Sequence, residues 1–183
     1  MGTRDDLLAA AKHCLARRGY ARTTVRDIAA EAGANVAAIN YHFRSREALL
    51  MQAMVESVGE AVHAMLPEPD GEPGDARARW DAFFAGLARS FAEDPDLWAA
   101  NVEALAEAPR QPEVRAALAR AQDRAGDELG AALAPGDADA VGALLVTLLT
   151  GLLAQWTINP ERPPNGPDLA AGIAALGAFL RPS

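Results

Sequence analysis

A chain of 183 residues makes one domain, or one large and one small, and with half of its residues apolar it can build a core, which excludes a disordered chain. The formal charge of −8 argues against a protein coated in nucleic acid, but residues 1–50 hold eight basic and five acidic side chains while residues 51–183 hold nine basic and twenty acidic. A basic head on an acidic body points to an anionic partner for the head alone.

Cys14 is the only cysteine, which excludes a disulfide framework or a thiolate zinc cluster within one chain. No metal and no cofactor are expected. Met1-Gly2-Thr3-Arg4-Asp5-Asp6 has acids where a secretory leader needs positive charge, so the expected protein is soluble and cytoplasmic.

Every apolar series has helical spacing, and no run alternates in the manner of a strand. The first helix is predicted to open at Thr3, with Asp6 completing a capping box. It buries Leu7, Leu8, Ala11, Cys14 and Leu15 and stops at Gly19. Thr23 or Thr24 caps a short second helix with Val25, Ile28, Ala29 and Ala32 on one side, and Gly33 breaks it. Asn35 caps a third carrying Val36, Ile39 and Phe43. Ser45 caps a long fourth helix with Leu50, Met51, Met54, Val55, Val58 and Val62 inward. Pro67 to Gly74 is a loop by composition.

Trp80, Phe83, Phe84, Leu87 and Phe91 mark a fifth helix ended by Pro95. A sixth is predicted from Asp96 to Ala108 with Trp98, Val102 and Leu105 buried. The seventh follows Pro112, with Val114, Leu118, Ala125 and Leu129 inward. The eighth spans about Ala138 to Thr157. After a loop from Pro160 to Pro167, Asp168 opens a ninth carrying Leu169, Ile173, Leu176 and Leu180. The fold class is all-α with about nine helices. Ala140 to Pro160 carries no charge, but its threonines, glycines and acidic entrance read as a helix at a subunit contact and not as a membrane span.

Two short helices joined at Gly33 match a helix-turn-helix, whose second helix enters the DNA major groove with its first turn. Thr23, Thr24, Asn35 and the helix N-termini suit phosphate oxygens, and Arg22, Arg26, Arg44 and Arg46 ring the unit. The run Thr23-Thr24-Val25-Arg26-Asp27-Ile28-Ala29-Ala30-Glu31-Ala32-Gly33, followed by Ile39-Asn40-Tyr41-His42-Phe43-Arg44-Ser45-Arg46-Glu47-Ala48-Leu49, resembles the DNA-binding signature of the tetracycline-repressor (TetR) family over residues 3–55.

That resemblance implies an N-terminal three-helix helix-turn-helix domain over residues 1–47. It also implies a C-terminal helical domain over residues 48–183 that binds an effector and dimerises. Asn35, Val36, Ala37 and Asn40 become the base-facing candidates, with phosphate contacts from Thr24, Tyr41, His42 and Arg46. The chain departs from that family's usual pattern in this segment. Members often carry Ser and then Lys or Pro where this chain has Asn35-Val36, Gly where it has Ala37, and Tyr where it has Asn40, so the operator is its own. Asparagines suit adenine edges, whereas Val36 and Ala37 suit only thymine methyls.

In the body, Thr147 and Gly151 on helix eight, with Ile173, Leu176 and Leu180 on the alanine- and glycine-rich helix nine, are the expected dimer face, since small residues let helix backbones approach. Five of the ten aromatic residues fall between Trp80 and Trp98. Trp80, Phe84, Trp98 and Met54 are candidates to line a cavity for a partly apolar small molecule, with plain core as the competing reading.

The expected protein is thus a ligand-responsive regulator, a repressor, that binds a palindromic operator in double-stranded DNA as a homodimer and is released by its effector. It is expected to be neither an enzyme nor membrane-bound. Two other classes compete. The helix-turn-helix can serve as a docking module for protein partners. A small all-helical enzyme is opposed by three histidines (His13, His42, His63) in three different helices and by the lack of any nucleophile or phosphate-loop motif.

Overall fold

The structure, a computed structural model, describes residues 3–66, 76–162 and 165–180. Among them there are nine helices and no strand: α1 (Arg4–Arg22), α2 (Val25–Glu31), α3 (Val36–Phe43), α4 (Arg46–His63), α5 (Ala76–Glu93), α6 (Pro95–Glu107), α7 (Pro112–Leu133), α8 (Ala138–Ile158) and α9 (Gly166–Phe179). The predicted loop from Pro67 to Gly74, Pro163 and Pro164 of the later loop, and Arg181 lie outside the described residues. The chain forms two compact units, one of Met1–Ala61 with Asp94–Asp123 and one of Val62–Glu93 with Arg124–Ser183.

In the first unit the caps fix the helix starts. The Thr3 N–H donates to Asp6 Oδ2 at 2.8 Å while the Asp6 N–H donates to Thr3 Oγ1 at 3.2 Å. Thr24 and Asp27 repeat the exchange at α2. Of the two threonines offered for that cap, Thr24 takes it. Thr23 is fully buried, with its hydroxyl on the Gly19 carbonyl at 2.8 Å. Gly19 does not end α1 outright. Its φ of 76° and ψ of 171° break the helix into a kink, open to glycine at little cost, and the chain makes one more turn to Arg22. Leu7, Ala11, Leu15, Ile28, Ile39, Leu49, Leu50 and Met54 are buried in one core with Ala104 of α6 and Val114 of α7. Each such Leu or Ile contributes about 1.5–3 kcal/mol.

Two boundaries correct the sequence reading. Pro95 opens α6 instead of merely ending α5: Asp94 caps the helix, accepting from the Leu97 N–H at 3.1 Å, and the proline stands at a first-turn position where a missing N–H costs nothing. Likewise α9 starts at Gly166 under an Asn165 cap, with Asp168 donating its N–H to Asn165 Oδ1 at 2.8 Å. On α6 the buried positions are Leu97, Trp98, Ala100 and Ala104, whereas Val102 and Leu105 are half-buried.

In the second unit, Phe83, Phe84, Leu87 and Phe91 of α5 are buried, as are Leu129 and Leu133 of α7 and Leu145, Leu152 and Leu153 of α8. α7 and α8 approach backbone to backbone at two places, Gly126 against Gly142 and Gly130 against Ala138. α8 is long and apolar enough to cross a membrane by length and composition, with 22% of its most apolar stretch buried. α9 is apolar yet mostly solvated. Leu176, Phe179 and Leu180 are 61%, 84% and 73% exposed, and Ile158 at the end of α8 is 82% exposed.

Candidate nucleic-acid interface

The interface is built on α2 and α3. Gly33, at φ +60°, makes the turn between them, and the Ala34 N–H closes it on the Ala29 carbonyl at 2.9 Å. Asn35 then caps α3, its Oδ1 accepting from the Ala38 N–H at 2.9 Å. Ile39 and Phe43, one turn apart, are buried and fix the inner face of α3 against the core. The helix therefore turns Asn35, Val36, Ala37, Asn40 and Tyr41 outward, all exposed, with Tyr41 at 84%. His42 is half-buried and edge-on to the Tyr41 ring, centroids 4.9 Å apart. Arg44 ends α3 with φ +68° and is exposed, as is Arg26 on α2.

Thr24 is exposed at the start of α2, and its hydroxyl donates to Asp27 Oδ2 at 2.7 Å. That hydroxyl, together with the Thr24 N–H and then the Arg18 guanidinium, holds the Asp27 carboxyl below its ordinary value. A lowered folded value means that the stabilisation is complete above the unfolded carboxyl value of about 4 and fades as pH falls through the folded one. Thr24→Ala is expected to cost about 1 kcal/mol and to flatten the acid side of the profile of urea midpoint against pH. A full-sized acid limb in the variant would show that the cap does not set that carboxyl.

Arg46 sits differently from the other basic residues. Its Nε donates to the Thr23 carbonyl at 2.5 Å and its Nη2 to the Tyr20 carbonyl at 2.6 Å, with the guanidinium 5.6 Å from the centre of the Tyr20 ring. Its Nη1 also pairs with Glu47 Oε1 at 3.3 Å and its Nη2 reaches the Ala21 carbonyl at 3.4 Å, so most of the guanidinium is engaged within the chain. Glu103 of α6, which no local pattern singles out for this role, accepts from the Ala21 N–H at 3.1 Å. The last turn of α1, just past the Gly19 kink, is thus held by two charged side chains from elsewhere in the chain. Lys12 ties α1 to α4 through Glu56 at 3.1 Å and Glu60 at 2.7 Å.

The effector candidates fall in separate units. Met54 (1% exposed) and Trp98 (5%) lie in the first unit. Trp80, half-buried, and Phe84 (4%) lie in the second with ring centroids 5.7 Å apart. Of the dimer candidates, Thr147 and Gly151 are exposed on α8, and a Cβ at Gly151 would meet nothing within 4 Å. On α9, Ile173 is half-buried while Leu176 and Leu180 stand in solvent. Among the described residues no group of three or more His, Cys, Asp or Glu side chains is arranged to hold a metal ion.

Comparison with known proteins covers both halves. Residues 7–53 match the family described as "Bacterial regulatory proteins, tetR family", and residues 75–178 match "Tetracyclin repressor-like, C-terminal domain". Over 58 residues, 32% of the chain, it is 43% identical to the HTH-type transcriptional regulator TtgR of Pseudomonas putida, of which that stretch is 27%. The chain spans 22–27% of the length of the curated relatives it matches. A transcriptional regulator of Pseudomonas aeruginosa PAO1 shares the fold at a TM-score of 0.69 and 26% identity, with 96% of this chain and 90% of that one covered. A regulator from Saccharomonospora viridis, solved in complex with choline, aligns at 0.67 and 25% identity, covering 94% and 93%.

Proposed function

The chain belongs to the tetR family of bacterial regulatory proteins, and from that premise we propose that it is a DNA-binding transcriptional repressor, homodimeric, released from a palindromic operator by a small-molecule effector. The observation that carries the reading is the outward face of α3. A recognition surface of Val36, Ala37, Asn40 and Tyr41 stands in solvent on a helix whose other face is locked into the core by Ile39 and Phe43. Asn35, Val36, Ala37 and Asn40 face the bases in this reading, and Thr24, Tyr41, His42 and Arg46 approach the phosphates. Residues 1–47 are the DNA-binding part and residues 48–183 the effector-binding and dimerising part. The site of action is the cytoplasm, where the operator is.

The two-fold partner supplies the second recognition helix. Exposed Leu144, Ile158, Leu176, Phe179 and Leu180, with Thr147, Gly151 and Ile173 beside them, form the apolar cover that such a partner buries. Sedimentation is expected to give twice the chain mass, and a Leu176→Glu/Phe179→Glu double variant the single mass. A double variant that stays dimeric would place the contact elsewhere.

The effector is at least partly apolar, with Trp80 and Phe84 in one unit and Met54 and Trp98 in the other as the candidates to take it up. Binding it more tightly in a form whose recognition helices are wrongly spaced for the operator lowers DNA affinity by population shift. A gel shift with the DNA upstream of the gene itself tests the proposal. Retention of a palindromic fragment that weakens steeply with salt is expected. Failure to retain any fragment at any salt would refute DNA binding, and retention without salt dependence would favour a protein partner for the helix-turn-helix.

A further inference from the structure

A helix in the major groove reads guanine through paired donors from Arg or Lys, cytosine through a carboxylate, adenine through an Asn or Gln that donates and accepts at once, and thymine through apolar contact with its C5-methyl. From Asn35 to Tyr41 there is no Arg, Lys, Gln, Asp or Glu. Asn35 has committed its carbonyl oxygen to the Ala38 N–H, so only its NH2 remains to donate outward. Asn40 is exposed, and its side-chain amide has no hydrogen bond among the described residues. It is therefore the one side chain on this face with both halves of an amide open.

Val36 and Ala37 lie side by side at the start of α3, Val36 at 36% exposure and Ala37 exposed. They share the outward face with Asn40, three and four residues on. Their only offerings to a base edge are methyl groups. The buried Ile39 and Phe43 prevent α3 from rolling to present another set.

Resting on the reading of α3 as the recognition helix, we infer that this chain reads its half-site chiefly through thymine methyls at Val36 and Ala37, with one adenine held in a two-point contact by Asn40. No Arg or Lys between Asn35 and Tyr41 is present to read guanine through paired donors, so two-point guanine contacts, if the operator has any, belong to residues outside that segment.

The test uses the full chain and duplexes that it selects from a random-sequence library. Each thymine of the selected half-site is replaced in turn by uracil, which removes the methyl and keeps the pairing. At one or two thymines the affinity is expected to fall about fourfold each, the fold-change that burial of one methyl corresponds to. Val36→Ala, which withdraws the branched methyls and keeps only Cβ, should reduce the sensitivity at its own thymine and leave the other thymines as sensitive as before. Asn40→Ala should flatten the preference at one A·T pair by about tenfold or more. These are solvent-facing positions, so folding is not at issue. Selected sites whose affinity ignores uracil at every thymine, or an Asn40→Ala protein with unchanged base preference, would overturn the inference while DNA binding stands. Failure to select any duplex would overturn both.

Discussion

Arg46→Ala is expected to lower the stability of the folded chain by about 1.5–3 kcal/mol, the range for lost hydrogen bonds from a charged group, read as a shift in the urea unfolding midpoint. The reason lies at the end of α1. The carbonyls of a helix's last turn have no partner within the helix, and here those of Tyr20 and Thr23 accept from one guanidinium at 2.6 and 2.5 Å. The positive charge also sits at the negative end of the helix dipole and faces the buried Tyr20 ring. Around it little can adjust: Tyr20 is 5% exposed, and its hydroxyl has no hydrogen-bond partner among the described residues.

Arg46→Lys separates this role from a phosphate contact. An ammonium is a point charge without the planar fork, so it can satisfy one carbonyl and should recover less than half of the loss. As a phosphate partner it would serve nearly as well as arginine. If instead Arg46→Ala left the urea midpoint in place and removed about one phosphate's worth of salt dependence from DNA binding, the residue would act on DNA alone.

This arginine also marks where sequence reading stops. Ser45, Arg46 and Glu47 announce a helix start, and the family likeness puts Arg46 at the phosphates, but its carbonyl partners are 23 and 26 residues earlier in the chain. The Glu103 contact with Ala21 spans 82 residues. Nothing local encodes such pairings. The helix starts were legible because their causes are local: Thr3 with Asp6, Thr24 with Asp27, and Asn35 each cap within three residues.

The outward face of α3 was legible for a similar reason, since Ile39 and Phe43 four apart leave only one way to seat the helix. The misplaced boundaries at Pro95 and Asp168 came from the right chemistry assigned to the wrong position. A proline that stops one helix also suits the first turn of the next, and Asp168, which suits a helix opening, stands inside the first turn while Asn165 is the cap. Close helix contact within the body is a different matter. Thr147 and Gly151 are offered by the sequence for a contact between two chains, whereas the approach inside the chain is made by Gly142 of α8 on the backbone of α7, which no spacing singles out.

That contact sets the other large effect. A Cβ at Gly142 would run into the Gly126 carbonyl oxygen of α7, with the rest of that peptide close behind. Backbone packed by other helices cannot step aside as a flexible side chain does. In an open helix, alanine gains about 1 kcal/mol over glycine. At Gly142 the overlap reverses the sign, and Gly142→Ala should destabilise by about 1–3 kcal/mol. Gly142→Leu should leave the Val62–Glu93 and Arg124–Ser183 unit unable to pack α8 on α7.

Gly59→Ala in α4 is the control, because a Cβ there meets nothing within 4 Å. It should stabilise by nearly the full helix-propensity difference. The two alanine variants are thus predicted to move the urea midpoint in opposite directions. Gly142→Ala moving it upward together with Gly59→Ala would mean that α7 and α8 can separate without cost, and that the glycine pair does not hold them.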